Sequence, residues 1–182
     1  MLDAVDVLHQ GGVVACPTEA VWGISCAADN AQAIHKVLEL KQRPVEKGMI
    51  VAVSNIEMLE GWVDWSHLSE KVKQCFRQTW PGPVTWVLPA TSAVLPEVTG
   101  ANTGKVAVRV TSHPVLKALI DAFGNPVLST SANISGDPPV KSEHALSPAL
   151  LGKVDAVVSG DVGGLEKPTE IRDALTGTII RT

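Results

Sequence analysis

Short apolar runs alternate along this chain with segments of helical period, and that alternation restricts it to a mixed α/β architecture. Val13–Cys16 reads as a buried strand that ends at Pro17. Met49–Val53, Val84–Leu88 before Pro89, Val106–Val110, Pro126–Ser129, Val154–Val158 and Thr178–Arg181 read the same way. Between them, apolar residues recur at helical spacing. Residues 3–10 carry Ala4, Val7 and Leu8 before Gly11-Gly12, and Asp29-Asn30 can cap a helix with Ile34, Val37 and Leu38 on one face to about Leu40. Residues 55–60 suit a short helix, and a longer one starts at Ser66 or Ser69 and runs to Gln78. Pro114 opens a further helix with Leu116, Leu119, Ile120 and Phe123, closed by Gly124. Residues 131–142, rich in Ser, Asn, Gly and Pro, read as a loop. Nothing resembles a repeat or a linker, so residues 1–182 are expected to form a single domain.

Charge limits the function. The 182 residues are 45% hydrophobic and 19% charged, a globular composition, and the net charge is -4. Coating nucleic acid relies on many Lys and Arg, which argues against that as the main task. Cys16, Cys26 and Cys75 are odd in number and include no CxxC pair, which suits reduced thiols in a cytosol better than disulfides or zinc. The start, MLDAVDVLHQGG, lacks a basic region followed by an apolar core, so no signal peptide is expected. No apolar run approaches the ~18 residues of a membrane span.

Several segments could carry chemistry. Lys41-Gln42-Arg43-Pro44-Val45-Glu46-Lys47 gathers three cations where a helix ends. Arg offers a fork of donors that fits phosphate, although cations also suit the negative end of a helix dipole. Ser129-Thr130-Ser131-Ala132-Asn133-Ile134-Ser135-Gly136 follows the apolar Val127-Leu128. Its hydroxyls and amide can bind phosphate or sugar oxygens, or simply form a turn. Pro17-Thr18-Glu19-Ala20-Val21-Trp22-Gly23 follows a buried strand, where α/β folds often place ligands. Trp80-Pro81-Gly82-Pro83-Val84-Thr85 reads as a rigid turn, with Trp80 and Trp86 as packing residues. No GxxxxGK[ST] loop, GxGxxG fingerprint, HExxH pair or GxSxG elbow is present. The scattered histidines show no pattern with carboxylates, and no metal ligands are assigned.

In this order, these segments resemble the YrdC family of threonylcarbamoyl-AMP synthases. Val106-Ala107-Val108-Arg109-Val110, Pro168-Thr169-Glu170-Ile171-Arg172-Asp173 and Ile179-Ile180-Arg181 extend the resemblance over residues 17 to 181. It matches the short bacterial form. It implies a twisted mixed β-sheet flanked by helices around a concave basic cavity. It also implies synthesis of threonylcarbamoyl-AMP and pyrophosphate from L-threonine, bicarbonate and ATP, with Mg2+. The product would go to a downstream tRNA threonylcarbamoyl transferase complex, for modification of adenosine 37 in tRNAs reading codons that begin with A. By the same resemblance Lys41, Arg43 and Lys47 face ATP phosphates, with Ser131, Asn133 and Arg181 also at the nucleotide and Lys105 near it. Arg109, Thr169 and Ser129 hold threonine. No acid or base is assigned, and Lys41 and Arg43 are expected to stabilise charge.

The chain departs from the family pattern in places. Ala20 and Trp22 stand where PTETVYG has its second Thr and its Tyr, Ala52 where longer relatives have His, and Thr169-Glu170 where many members have Ser-Thr. Two rival readings stay open. One is an RNA-binding module that holds double-stranded RNA or a tRNA loop in the same basic cavity. The other is a carbamoyl-adenylate-forming domain of the kind found in long hydrogenase-maturation proteins.

Overall fold

A computed structural model describes residues 1–100, 103–134, 137–167 and 169–181. Ser135, Gly136 and Pro168, which belong to the motifs above, lie outside the described residues. The strands are β1 (Val14–Pro17), β2 (Trp22–Ala27), β3 (Ile50–Val53), β4 (Val84–Pro89), β5 (Lys105–Val110), β6 (Val127–Ser131), β7 (Ala156–Val157), β8 (Glu170–Asp173) and β9 (Ile179–Arg181). They form one mixed sheet in the order β7-β1-β2-β6-β3-β5-β4-β8-β9. The helices are α1 (Leu2–His9), α2 (Ala31–Lys41), α3 (Glu70–Thr79), α4 (Pro96–Thr99), α5 (Pro114–Phe123) and α6 (Pro148–Leu151).

Each sheet face has its own apolar layer, because side chains alternate along a strand. Val14, Cys16, Ala27, Ala52 and Val127 meet Ala4, Val5 and Leu8 of α1 and Leu116, Leu119, Ile120 and Phe123 of α5. On the other face Ala15, Ile24, Val51, Val108 and Leu128 meet Ile34, Val37 and Leu38 of α2 and Phe76 of α3. Burying a side chain of the Leu or Phe class contributes about 1.5–3 kcal/mol, so the four α5 residues alone anchor that layer firmly. Local signals set the helix ends. Asn30 Oδ1 accepts from the Ala33 amide at 3.0 Å, and Gly124 closes α5 in the left-handed region at φ 80°. Phe76 stacks on Trp80 at 5.0 Å and meets Trp86 edge-on at 5.2 Å. Both indoles are buried, so they serve packing.

Some elements differ from the sequence expectation. β2 lies outside the strands expected from the sequence, although Trp22, Ile24 and Cys26 alternate with Gly23 and Ser25 at a strand's period. It is nonetheless fully buried between β1 and β6. Strand β6 continues through Thr130 and Ser131, since Gly23 of β2 pairs with Ser131 and Ile24 with Thr130. Polar residues thus become strand where a partner supplies the ladder. β8 is built from Glu, Ile, Arg and Asp and gave no apolar signal, yet it pairs in parallel with β4. The expected helix at 55–60 is a 3-10 turn, Ile56–Leu59. β7 is two residues long instead of five. α4 and α6, each with Pro in its first turn, are one-turn helices that were not anticipated.

The loop after α2 is braced from behind. Its Val45–Lys47 turn ends at Gly48, and a Cβ placed on Gly100 would stand 2.5 Å from the Glu46 carbonyl oxygen and 2.6 Å from the Gly48 amide nitrogen. Gly100 also has a φ of +69°. Gly100→Ala should therefore destabilise the fold by about 2–4 kcal/mol in urea unfolding. Gly61→Ala shares a positive φ of +80° but meets nothing within 4 Å, and should cost only about 1 kcal/mol. Equal losses would show that the close approach at Gly100 does not matter.

Candidate active site

Cross-strand register decides where the sheet stays open. Paired residues share a face, so Arg109 lies on the same face as Ala52 and Val127, the row that α5 helps to cover. The next rows on that face, Ser25, Ser129, Ile50 and Ala107, then Gly23 and Ser131, extend toward the start of β3. A cavity of about 260 Å³ opens here, lined by Arg43, Arg109, Ser129, Ser131, Asn133, Thr169 and Arg181 among others. Small side chains in these rows make the space. A Cβ on Gly23 would meet Thr18 Cγ2 at 3.0 Å and the Thr130 carbonyl oxygen at 3.3 Å.

Three arginines reach this cavity from separate elements. Arg43, just after α2, donates from Nη2 to the Gly48 carbonyl at 2.9 Å. Arg181 of β9 donates from Nη2 to the Thr169 carbonyl at 2.8 Å and from Nε to the same oxygen at 3.2 Å. Arg109 of β5 donates from Nη1 to Thr169 Oγ1 at 2.9 Å. Burial holds the pKa of Arg181 below its ordinary value, with the charges of Arg109 and Arg43 adding to the effect. Burial alone does the same to Arg43. Like charges held together out of water favour an anion between them.

One carboxylate balances part of this charge. Glu19, in the turn between β1 and β2, is 4% exposed, and Arg109 is 5% exposed. Glu19 Oε2 lies 3.4 Å from Arg109 Nη2, and Glu19 Oε1 accepts from Thr111 Oγ1 at 2.6 Å. The segment that leads to Thr169 is laced to the same turn, with the Gly163 amide donating to the Thr18 carbonyl and the Leu165 amide to that of Glu19. Glu19 Oε2 and Arg109 Nε are buried without hydrogen-bond partners. The family resemblance assigns no role to Glu19, which supplies the counter-charge to Arg109. The sequence carries a signal for it, because a guanidinium in an apolar strand requires a counter-charge and Glu19 sits in the Pro17–Gly23 motif.

The remaining expected residues fall into two places. Lys47 is exposed, and with Lys105 it lines an adjoining cavity of about 410 Å³ that shares Arg43, Met49, Ile50 and Arg181 with the first. Lys105 is paired with Asp173 at 2.6 Å. Lys41 is 2% exposed and does not line either cavity. Its ammonium donates to the Ser131 carbonyl and, at 2.6 Å, to the Asn133 carbonyl. Burial, and then the Arg43 charge, pull its pKa down to about 8, while the two carbonyls favour the charged form. Among the described residues, no group of three or more His, Cys, Asp or Glu could hold a metal ion. No helix among them is long and apolar enough to cross a membrane.

Known proteins share this sequence and fold. The Sua5/YciO/YrdC family model, described as telomere recombination, matches residues 6–182. A protein of Xanthomonas euvesicatoria pv. vesicatoria named threonylcarbamoyl-AMP synthase is 50% identical over 178 residues, covering 98% of this chain and 95% of that protein. A Xanthomonas campestris pv. campestris protein of the same name is 49% identical over 178 residues, with 98% and 95% of the two chains covered. The structure of P. abyssi Sua5 complexed with L-threonine superposes with a TM-score of 0.87 at 30% identity, over 93% of this chain and 49% of that one. This chain thus spans about half the length of that Sua5. E. coli YciO shares the fold, with a TM-score of 0.84 at 24% identity over 98% of this chain and 86% of its own.

Two measurements test this electrostatic picture. Arg109→Ala strands Glu19 in the interior and should cost about 3–5 kcal/mol of stability. Pairing it with Glu19→Gln should recover a substantial part of that loss, whereas additive losses in urea would mean that the two side chains are not coupled. For Lys41, the folded pKa of about 8 lies below the unfolded value of 10.5, so the unfolded chain binds more protons between those values. The stability that wild type holds over Lys41→Met should therefore grow as pH rises from about 8 to about 10, by about 1–2 kcal/mol. A difference that stays flat with pH would mean that the ammonium titrates as it does in water.

Proposed function

The chain belongs to the Sua5/YciO/YrdC family, and we propose that it is a threonylcarbamoyl-AMP synthase, forming L-threonylcarbamoyladenylate and pyrophosphate from L-threonine, bicarbonate and ATP. The observation that carries this reading is the convergence of Arg43, Arg109 and Arg181 with Ser129, Ser131, Asn133 and Thr169 on one cavity, from elements far apart in the chain. A reaction between anions needs such a place. The threonine nitrogen takes up carbon dioxide derived from bicarbonate and loses a proton, giving an N-carboxylate. An oxygen of that carboxylate then attacks the α-phosphorus of ATP as the bond to pyrophosphate breaks.

The residues divide this work by position. Arg109, held by Glu19 and Thr169, would receive the threonine carboxylate beside the Thr169 and Ser129 hydroxyls. Arg43 and Arg181 would take the phosphates, with Ser131 and Asn133 on the nucleotide and Lys47 at the outer cavity. Fixed donors that need no reorganisation stabilise the charge that builds on the leaving pyrophosphate. Among the described residues that line the cavity none is a general base, and their proposed roles are positioning and charge stabilisation. Among the described residues the lining also holds no carboxylate. Magnesium would arrive with the ATP phosphates, with the Ser129 and Ser131 hydroxyls as the nearest neutral oxygen donors, and would offset phosphate charge.

A transferase complex that modifies tRNA is the proposed consumer of the product. A cytoplasmic setting fits the three free thiols. An RNA-binding role is less well supported, since the net charge is -4.

The direct test is pyrophosphate release from ATP. It should require both threonine and bicarbonate; equal release without threonine would remove the assignment. Arg43→Ala should lower kcat/KM by about 2–4 kcal/mol equivalents, chiefly through ATP. It should cost only about 1 kcal/mol of stability, for the lost bond to Gly48. Thr169→Val should raise the KM for threonine about tenfold and leave that for ATP nearly unchanged. If it weakened both substrates alike, Thr169 would be serving the nucleotide or the fold.

A further inference from the structure

Lys41 is a cation inside a phosphate-site motif that nevertheless does not reach the cavity. It closes α2, after which Gln42 turns into the left-handed region at φ 50° and Arg43 swings toward the cavity. The neighbouring cations of the motif thus diverge. Arg43 lines the cavity, while the Lys41 side chain crosses to the end of β6, ninety residues away in sequence, and is 2% exposed.

What Lys41 meets there is backbone. The carbonyls of Ser131 and Asn133 both accept from its Nζ, and these are the residues whose side chains line the nucleotide side of the cavity. The stretch has few other ties. The Ala132 amide donates to the Trp22 carbonyl at 2.8 Å. Asn133 Nδ2 donates to the Asp137 carbonyl at 2.6 Å and to that of Ile134 at 3.2 Å. Both carbonyl oxygens are thus engaged by a cation that lies outside the cavity lining. Nζ keeps a third donor, but Lys41 is 2% exposed and lines neither cavity, so reaching a phosphate there would mean pulling away from two carbonyls that a buried setting leaves without other partners. The lowered pKa of the ammonium fits a group shut away from solvent beside another cation.

We infer that Lys41 is a positioning residue that fixes the Ser131–Asn133 backbone, and with it the wall on which ATP rests, without itself touching the phosphates. This inference rests on the cavity being an ATP site.

A double-mutant cycle on ATP affinity separates the two roles. By calorimetric titration, Lys41→Met should weaken ATP binding tenfold or more and change threonine binding by less than twofold. In a Ser131→Ala/Asn133→Ala background, where the side chains it positions are gone, Lys41→Met should add less than a twofold loss. Arg43→Ala, which removes a cavity cation, should weaken ATP by a similar factor in both backgrounds. A second full tenfold loss from Lys41→Met in that background would make Lys41 a direct phosphate ligand and overturn the inference, as would an unchanged ATP affinity in the single variant. If Lys41→Met does not fold, Lys41→Gln, which keeps an amide donor for one carbonyl, goes through the same cycle with the same criterion and a smaller expected first loss. Failure of the wild-type protein to bind ATP would instead defeat the assignment of the cavity.

Discussion

A guanidinium buried in a β-sheet has to be paired, and the pairing of Arg109 organises this molecule. Its partner Glu19 comes from the β1–β2 turn and its hydroxyl partner Thr169 from the segment before β8, so three distant parts of the chain meet at one charge. Thr111, just beyond β5, completes the arrangement by donating to Glu19. The pair is incompletely satisfied, with Glu19 Oε2 and Arg109 Nε lacking hydrogen-bond partners. A purely structural ion pair of this kind is no better than an apolar replacement, and often worse. Its presence makes sense where the spare capacity of the guanidinium serves a ligand.

The sheet supplies the other requirement, which is room. α1 and α5 pack over the row that holds Ala27, Ala52 and Val127, and beyond it the same face carries Gly23, Ser25, Ser129 and Ala107. Core-forming and site-forming residues therefore share one face and differ mainly in side-chain size and polarity. Packing of the helices fixes the register, and the register fixes where the hydroxyls stand. Arg43 and Arg181 enter from outside this frame, on a loop braced by Gly100 and on the edge strand β9. The nucleotide side is thus built from more peripheral elements than the threonine side.

Most of the apolar strands and amphipathic helices were legible, because a strand such as Val106–Val110 or a helix such as Pro114–Phe123 announces its own period. β8 was not, since Glu170 and Arg172 are strand residues only by virtue of their neighbours. Sheet order is a property of long-range pairing and left no local trace. The motifs marked out Arg43, Arg109, Ser131 and Thr169, which do line one cavity. What they could not convey was direction: Lys41 and Arg43 stand two residues apart, yet one holds the backbone of β6's end while the other faces the cavity. Glu19 went unassigned because its role depends on a contact across ninety residues.

The central claim is that this cavity brings threonine, as its N-carboxylate, and ATP together for attack at the α-phosphorus. Incubating the protein with ATP, L-threonine and 13C-bicarbonate and examining the adenylate by mass spectrometry tests it most directly. The expected result is a threonylcarbamoyl adenylate that carries the 13C label and is absent when threonine is omitted. An unlabelled adenylate, or AMP and pyrophosphate formed without threonine, would contradict it.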